Sequence, residues 1–514
     1  MYGGARSTRT TGYFGASNAS ADAELNSSLA VLRSRSRQMV RDSAYAKRAK
    51  AVIVNNVIGS GVGLQAQVEN TRGEQADRVN VDIERAWDAW CRAAACHTGG
   101  TLHFGDLERA AMGEVFEAGE VLLRLHFRAF GGSRVPLAIE LIEPERLAAD
   151  IDTFGVEQGN ELRMGVEVDR FHRPVAYWIR RFHQGDIRTR MSDYSDEVER
   201  VPAEQVFHLK LTTRWPQTRG EPWMHTVVRK IDDLDQYSQH EITAARASAA
   251  YFATIETPED GSPNPLTTDR EADGKPLMDI EALTIQALAP GEKLAFHSPN
   301  RPNSAFDGFV RALLREIAAG VGTSYESLSR DYSQSNYSSS RLSLLDDRDG
   351  YRALQQWWIR SFREPLHRVW LQQAVLAGAI QAIPIGAYAT DTLRYQAVRF
   401  KPRGWSWVDP TKEVTAYKEA IKAGLTTLTD VIAQTANGLD FEDVLATRKR
   451  ELAMLDDAEI EVDTTVPEAQ EPAATQGTEP AADAGDDDTD QTAVADASQD
   501  RARAASLVPI RRSA

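Results

Sequence analysis

Cysteine is nearly missing from this chain. Two residues in 514 cannot staple a fold, so a reducing compartment is expected. The opening residues, MYGGARSTRT, have no apolar h-region, so no secretory signal is expected. A phosphate-cradling G-x-x-x-x-G-K-S/T loop and a G-x-S-x-G nucleophile elbow are both absent. His240-Glu241 begins a zinc-type H-E-x-x-H pattern, but Ala244 stands where the second ligand belongs. Gly59, Gly61 and Gly63 imitate a dinucleotide turn, yet the third glycine comes one residue early and no helix start follows. A turn between a helix and a strand is expected instead. Cys91 and Cys96, five apart on a helix, point to different faces and read as free buried thiols. The longest uncharged run, 369–390, holds Gln372, Gln373, Gln381 and Pro384, which suit a helix end and turn better than a bilayer. No cofactor and no metal are expected, and no catalytic site.

What is present fits a large folded chain. Hydrophobic residues make up 42%, enough for a sizeable core, and the length suggests two to four domains. Charge is uneven. The first 50 residues hold nine Lys or Arg against three acids. Residues 456–500 hold fifteen acids and no base, and 501–514 hold four Arg. The tail therefore accounts for −11 of the formal −16, leaving −5 on 1–455. Asp346, Asp347 and Asp349 lack the rest of a calcium loop and read as a solvated helix face. Glu140, Glu143 and Glu145 read as strand-end and turn carboxylates.

Periodicity orders the rest. Helical spacing runs over 25–62, 78–97 and 107–118. Alternation then predicts strands around 121–125, 137–141, 163–171, 175–182 and 205–211. After Pro222, Met224, Val227, Ile231, Leu234, Ile242 and Ala245 mark a long helix. Glycines and prolines between 258 and 302 break it, with a β-like stretch at 280–297. Ser304 reads as the cap of a second helix that ends near Gly320 and Gly322. A polar stretch, YESLSRDYSQSNYSSSR (325–341), precedes the longest helical pattern, about 342–377, which Pro365 should kink. A strand at 393–400 and three short helices over 409–455 complete the body. Residues 456–514 have the composition of a disordered tail.

Several stretches resemble the lambda family of tailed-phage portal proteins. They are RDSAYAKRAKAVIVNNVIGSGVGLQAQ, LIEPERL (141–147), GVEVDRFHRPVAYWI (165–179), FHLKLTTRWPQTRGEPWM (207–224) with its Gln-x-Arg-Gly, IAAGVGTSYESLSRDYSQSNYSSSR (317–341), and WVDPTKEVTAYKEAIKAGLTTLTDVIAQ (407–434). Their order spans 41–455.

The resemblance implies an α+β, portal-type fold: a mixed α/β wing, a two-helix stem, a small β-containing clip, a helical crown and disordered termini. Its parts would be a flexible basic N-terminal arm (1–40), wing (41–222), first stem helix (223–252), clip (253–303), second stem helix (304–322) and tunnel loop (323–341). A long kinked helix would then return through the wing (342–408) to the crown (409–455) and acidic tail (456–514). It implies a homo-oligomeric ring, a dodecamer, in the virion at the unique capsid vertex, assembled in the host cytoplasm. Double-stranded DNA would pass through without sequence specificity. Tunnel residues Arg330, Tyr332, Ser333, Ser335, Asn336, Tyr337, Ser338 and Arg341 would face it. Glu259, Asp260, Asp269, Glu271 and Asp273 of the clip would receive the terminase large subunit and a head-completion (neck) protein. Major capsid and scaffold proteins would be further partners, and no membrane. The mild charge of the body and the lack of a basic recognition helix suit a conduit, because a tight DNA binder sets Lys and Arg against phosphates. Two other classes stay open on the residues alone: a capsid or tail-tube component, and a soluble enzyme with a dispersed site.

Overall fold

Ser20 opens the first helix, its hydroxyl accepting from the Ala23 amide at 3.2 Å. The computed structural model describes residue 9 and residues 17–151, 156–157, 159–186, 197–250, 305–334, 336–405, 410–435 and 441–457, with four strand pieces between 253 and 296. Helix α1 (Ala21–Asp42) takes up half of the stretch expected as a flexible arm. Leu25, Leu29, Arg33 and Ser36 recur at three-four spacing and are buried, so this face is held by packing. Ser43 separates α1 from α2 (Ala44–Val57), whose Ala46, Ala49, Ile53 and Val57 are fully buried.

The glycines after α2 make the expected turn into β1 (Gly63–Ala66). Helix α3 (Asp77–Trp90) stops short of the expected end. The chain bends at Cys91 and Arg92 before a single turn, α4 (Ala93–Cys96). Both thiols are free and buried. Helix α5 (Phe104–Ala118) ends at Gly119 in left-handed conformation and leads into β2 (Glu120–His126), then β3 (Ala138–Ile142). Strands β4 (Glu161–Arg163), β5 (Val166–Val168), β6 (Pro174–Arg180) and β7 (Val198–Pro202) form an antiparallel sheet in sequence order. β7 was not expected, because VERVP carries only two apolar side chains and reads as loop. β8 (Val206–Lys210) returns to pair with β2, which lies central in the order β3-β2-β8. Val121, Leu123 and Leu125 face the helical core, while Leu122 joins the second core on the opposite side. β2 is therefore buried on both faces.

A short 3-10 turn (Trp223–Thr226) precedes α6 (Val228–Ala250). Next come β9 (Ala253–Glu256), β10 (Asp269–Arg270), β11 (Pro276–Leu277) and β12 (Lys293–Phe296), with β9 paired to β12 and β10 to β11. Helix α7 (Phe306–Val321) begins after Ala305. The expected cap, Ser304, lies outside the described residues. Gly322 closes α7 in left-handed conformation, and Gly320 is inside the helix, where a Cβ would overlap the Val227 side chain. Lys230 of α6 pairs with Glu316 of α7, and Tyr237 lies against Phe306 and Phe309 with ring centroids 5.6 and 5.0 Å apart.

After α8 (Tyr325–Ser329), the long helix divides into α9 (Tyr337–Trp358), one π-helical turn (Ile359–Arg363) and α10 (Glu364–Leu376). Pro365 cannot donate to the preceding turn and its ring crowds it, so the helix widens there instead of breaking. The uncharged run ends α10, turns, and forms α11 (Ile385–Thr390). No helix among the described residues is long and apolar enough to cross a membrane. The expected strand at 393–400 is in part α12 (Thr392–Tyr395), because Asp391 caps a helical turn. Only β13 (Val398–Lys401) is extended, and it pairs with β1. Helices α13 (Pro410–Lys422), α14 (Leu428–Thr435) and α15 (Phe441–Asp457) follow. Chain contacts divide the protein into 1–448, which holds both cores, and 449–514, of which residues 449–457 are described.

Candidate functional site

The polar stretch 323–341 is more ordered than its composition suggests. Ser324 caps α8, accepting from the Ser327 amide, and Leu328 beneath it is buried. Asn336 opens α9 through a reciprocal capping box with Ser339. The expected loop is thus one helical turn, a short bend and the start of a long helix. Tyr337, Ser338 and Arg341 belong to α9 and not to the bend. Ser335 lies outside the described residues, as do the side chains of Tyr337 and Ser338.

Four hydrogen bonds fix the base of this segment. Thr323 Oγ1 and Tyr351 Oη are 2.9 Å apart in a buried hydrogen bond. Asp347 accepts from Ser324 Oγ at 2.6 Å and Ser327 Oγ at 3.0 Å. Arg48 Nε donates to the Ser327 carbonyl at 3.0 Å. Asp347 is therefore not part of a solvated face, as its neighbours suggested. It is buried, and burial pushes its carboxyl up despite the two hydroxyl donors.

The tip is different. Arg330 ends α8 at φ +59°. Asp331 accepts from Tyr325 Oη at 2.8 Å and from the Ser333 amide at 3.0 Å, and these donors, Ser333 first, hold its carboxyl down at about 2. Beyond it Tyr332 is 61% exposed, and Ser333 and Gln334 are exposed as well. The bend offers hydroxyls and an amide to solvent, with Arg330 before it in the chain and Arg311 Nε 3.7 Å from the Asp331 carboxylate. Such a surface makes weak neutral contacts to a phosphate backbone at many equivalent positions.

Of the expected clip carboxylates, Glu259, Asp260, Glu271 and Asp273 lie outside the described residues. Asp269 stands in β10 opposite Leu277. Among the described residues no group of three or more His, Cys, Asp or Glu side chains is placed to hold a metal.

Sequence reasoning missed a buried carboxylate cluster. Glu120, at the start of β2, is fully buried. It accepts from Arg33 of α1, from Arg219 Nε at 2.7 Å, from the Gly220 amide at 2.6 Å and from His208 Nε2 of β8 at 2.8 Å. Burial pushes its carboxyl up, but the charges of Arg219 and Arg33 outweigh that and hold it well below the usual range. The same burial presses Arg33 down to about 10, since two guanidinia share one carboxylate. Arg219 also donates to the Met164 and Pro144 carbonyls at 2.6 and 3.0 Å. The Gln-x-Arg-Gly stretch is thereby explained. Its arginine ties both sheets to α1, and its glycine lies so close to Gly119 that a Cβ would overlap the Gly119 carbonyl. Gln217 Oε1 receives the Thr213 amide at 2.9 Å and shapes the same approach to α6. Glu120 carries one signal in the sequence, a charge opening a strand whose Leu122 is apolar on the otherwise outward face.

Helices α6, α7 and α9 each leave apolar side chains uncovered. Ile231 and Leu234 of α6 are buried, but Ile242 is 52% exposed and Phe309 on α7 is 49% exposed. On α9, Leu342 is 70% exposed.

The family described as phage portal protein, lambda family, matches residues 7–355. A probable portal protein of Halomonas phage phiHAP-1 is 31% identical over 450 residues, covering 86% of this chain and 84% of that protein. Portal protein B of Escherichia phage lambda is 22% identical over 479 residues, covering 84% and 85%. Among solved structures, the neck of a native gene transfer agent particle, computed with C12 symmetry, is similar with a TM-score of 0.41 and 13% identity, over 78% of this chain and 93% of that one. An HK97-family phage portal protein from Corynebacterium diphtheriae is similar with a TM-score of 0.29 and 12% identity, over 71% and 94%.

Proposed function

Because this chain belongs to the lambda family of phage portal proteins, and so is a structural part of the virion, we propose that it assembles as a dodecameric ring and conducts double-stranded DNA. In this reading 41–222 is the wing, 223–252 and 304–322 are the stem, and 253–303 is the clip that receives the terminase large subunit and a neck protein. The stretch 323–341 lines the channel, 342–408 returns through the wing, and 409–455 forms the crown. Capsid and scaffold proteins surround the ring during assembly in the host cytoplasm.

The observation that carries the reading is the uncovered stem. Ile242 and Phe309 are too exposed for helices that end as a lone hairpin, and a helix apolar on more than one side calls for more than one neighbour. Copies packed side by side around an axis cover both faces and leave no open edge. The neutral tip at Tyr332 and Ser333 supports sliding, since it offers no deep well for phosphate. Negative-stain imaging of the purified protein, with mass photometry, tests this. Rings with a central hole are expected. Monomers or dimers alone, at concentrations where the protein is folded, refute the ring.

A further inference from the structure

A single residue joins helix α1 to the rest of the chain. Ser43 stands between α1 and α2 with φ −98° and ψ 129°, extended where both neighbours are helical. Its amide donates to the Met39 carbonyl at 2.8 Å, and its carbonyl accepts from the Lys47 amide at 3.1 Å. Those are helical bonds, one on each side of the bend. Turning one dihedral, ψ of Ser43, to about −42° would join α1 and α2 into one straight helix. Serine is tolerated inside a helix, and no glycine or proline occurs between 21 and 57 to enforce the bend.

The buried stripe takes no notice of the bend. Ala21, Leu25, Leu29, Arg33, Ser36 and Val40 are buried on α1, then Ser43, then Ala46, Ala49, Ile53 and Val57 on α2. Every step is three or four residues. A chain bent permanently at Ser43 could restart its stripe on any face. This one keeps the phase that a straight helix over 21–57, about 55 Å long, requires.

The groove that holds α1 is a set of polar sockets. Arg33 enters the Glu120 cluster and donates Nε to the Ala118 carbonyl at 3.0 Å. Arg37 donates Nε to Glu145 at 2.8 Å and also pairs with Glu114 of α5. Asp22 accepts from the Thr218 amide and hydroxyl, both at 2.7 Å. Glu24 faces Arg214 at 3.4 Å. These sockets specify α1 by residue and register, and every copy of the chain presents the same set.

Resting on the ring reading above, we propose that α1 is exchanged between copies. In the assembled protein Ser43 is helical, α1 of one copy lies in the groove of the next, and its Arg33 completes that copy's Glu120 cluster. Exchange of an identical element keeps each socket filled, so it sacrifices no packing. A hinge of one residue is the shortest possible, and short hinges favour exchange over folding back. Around a closed ring every donated helix finds a groove and none is left over.

The test uses the full-length variant E24C/R214C, a short bismaleimide crosslinker and denaturing gels, with assembly followed by mass photometry. Both side chains are about half exposed, so the reagent reaches them. The native Cys91 and Cys96 are buried, and the parent chain and each single variant serve as controls. A ladder of covalently linked multimers is expected from the double variant and from no control. Inserting Gly-Ser-Gly between Ser43 and Ala44 lengthens the hinge and lets α1 fold back, so the ladder should give way to internally linked monomer. Rings whose product is internally linked monomer without that insertion overturn the exchange and leave the ring reading standing. Internally linked monomer with no rings overturns both. A ladder unchanged by the insertion overturns exchange through this hinge. Absence of any link means that α1 occupies no groove, which overturns it too.

Discussion

Replacing Glu120 by Gln should destabilise the protein far more than any surface charge does. The substitution keeps the volume and one acceptor oxygen but removes the charge that Arg33 and Arg219 share. Those guanidinia are 5% and 1% exposed, so water cannot replace the lost partner. Breaking a buried pair from one side costs about 3–5 kcal/mol, because the remaining charge is left uncompensated. Against a total of roughly 5–15 kcal/mol, that is a fifth or more of the stability of a typical domain. The exposed pair Arg124–Glu199 supplies the control. Its bonds are equally short, at 2.6 and 2.7 Å, but Glu199 is 59% exposed. Glu199→Gln should cost only about 0–1 kcal/mol. Urea unfolding followed by tryptophan fluorescence, at one fixed subunit concentration, measures both. The pH dependence has a defined sign. The folded pKa of Glu120 is depressed, so its contribution is present above the unfolded value near 4.5 and is lost as pH falls through the lower folded value. In Glu120→Gln that acid-dependent loss should vanish. Since Arg219 stands just ahead of α6, the variant should also form the proposed rings less efficiently when warmed. A loss below about 1 kcal/mol, matching Glu199→Gln, would refute the reasoning and show that the two arginines are held by their carbonyl partners alone.

Much of this fold was legible because periodicity reports burial. Three-four spacing placed α2, α5, α6, α7 and α9, and alternation placed β2, β3, β6 and β8, all elements whose apolar faces meet one or other of the two cores. The misses share a cause. β7 is a strand with few apolar residues, α12 is made by one aspartate cap, and the bend after Trp90 changes direction without a glycine or proline. None of these leaves a periodic mark. The polar segment 323–341 was legible in composition but not in form. Its Ser, Asn and Tyr composition reads as loop, whereas the hydroxyls are used for caps and for Asp347, a contact 20–23 residues away. Glu120 was invisible for the same reason: its partners stand 87, 88 and 99 residues away, and charge alone does not reveal burial.

Deleting 331–338 should leave rings intact, since the anchors at Thr323, Ser324, Ser327 and Asp347 lie outside the deletion, yet should block retention of full-length DNA. Normally filled heads in electron micrographs would refute a channel role for Tyr332 and its neighbours. A last prediction concerns His367 on α10. It is 1% exposed, stacked over Trp370 at 6.0 Å and edge-on to Phe400 at 6.2 Å, and neither ring nitrogen has a hydrogen-bond partner. Burial, with the charges of Arg363 and Arg368, holds it down at about 3. A folded pKa below the unfolded value near 6.5 means that only the unfolded chain takes up a proton between those limits. Stability therefore falls as pH drops from 6.5 toward 3, by about 1.4 kcal/mol per unit, or roughly 2 kcal/mol by pH 5. His367→Phe keeps an aromatic ring and removes this proton. The Phe ring is larger and shifts stability at all pH values by a constant packing term, so the slope is the quantity to read. His208, also buried and lowered, titrates in both proteins and cancels in the difference. Urea midpoints at pH 7 and pH 5 should fall less in His367→Phe than in wild type, by an amount equal to about 2 kcal/mol. Parallel falls in the two proteins would mean that His367 is protonated in the folded chain, and that the aromatic cage around it admits water.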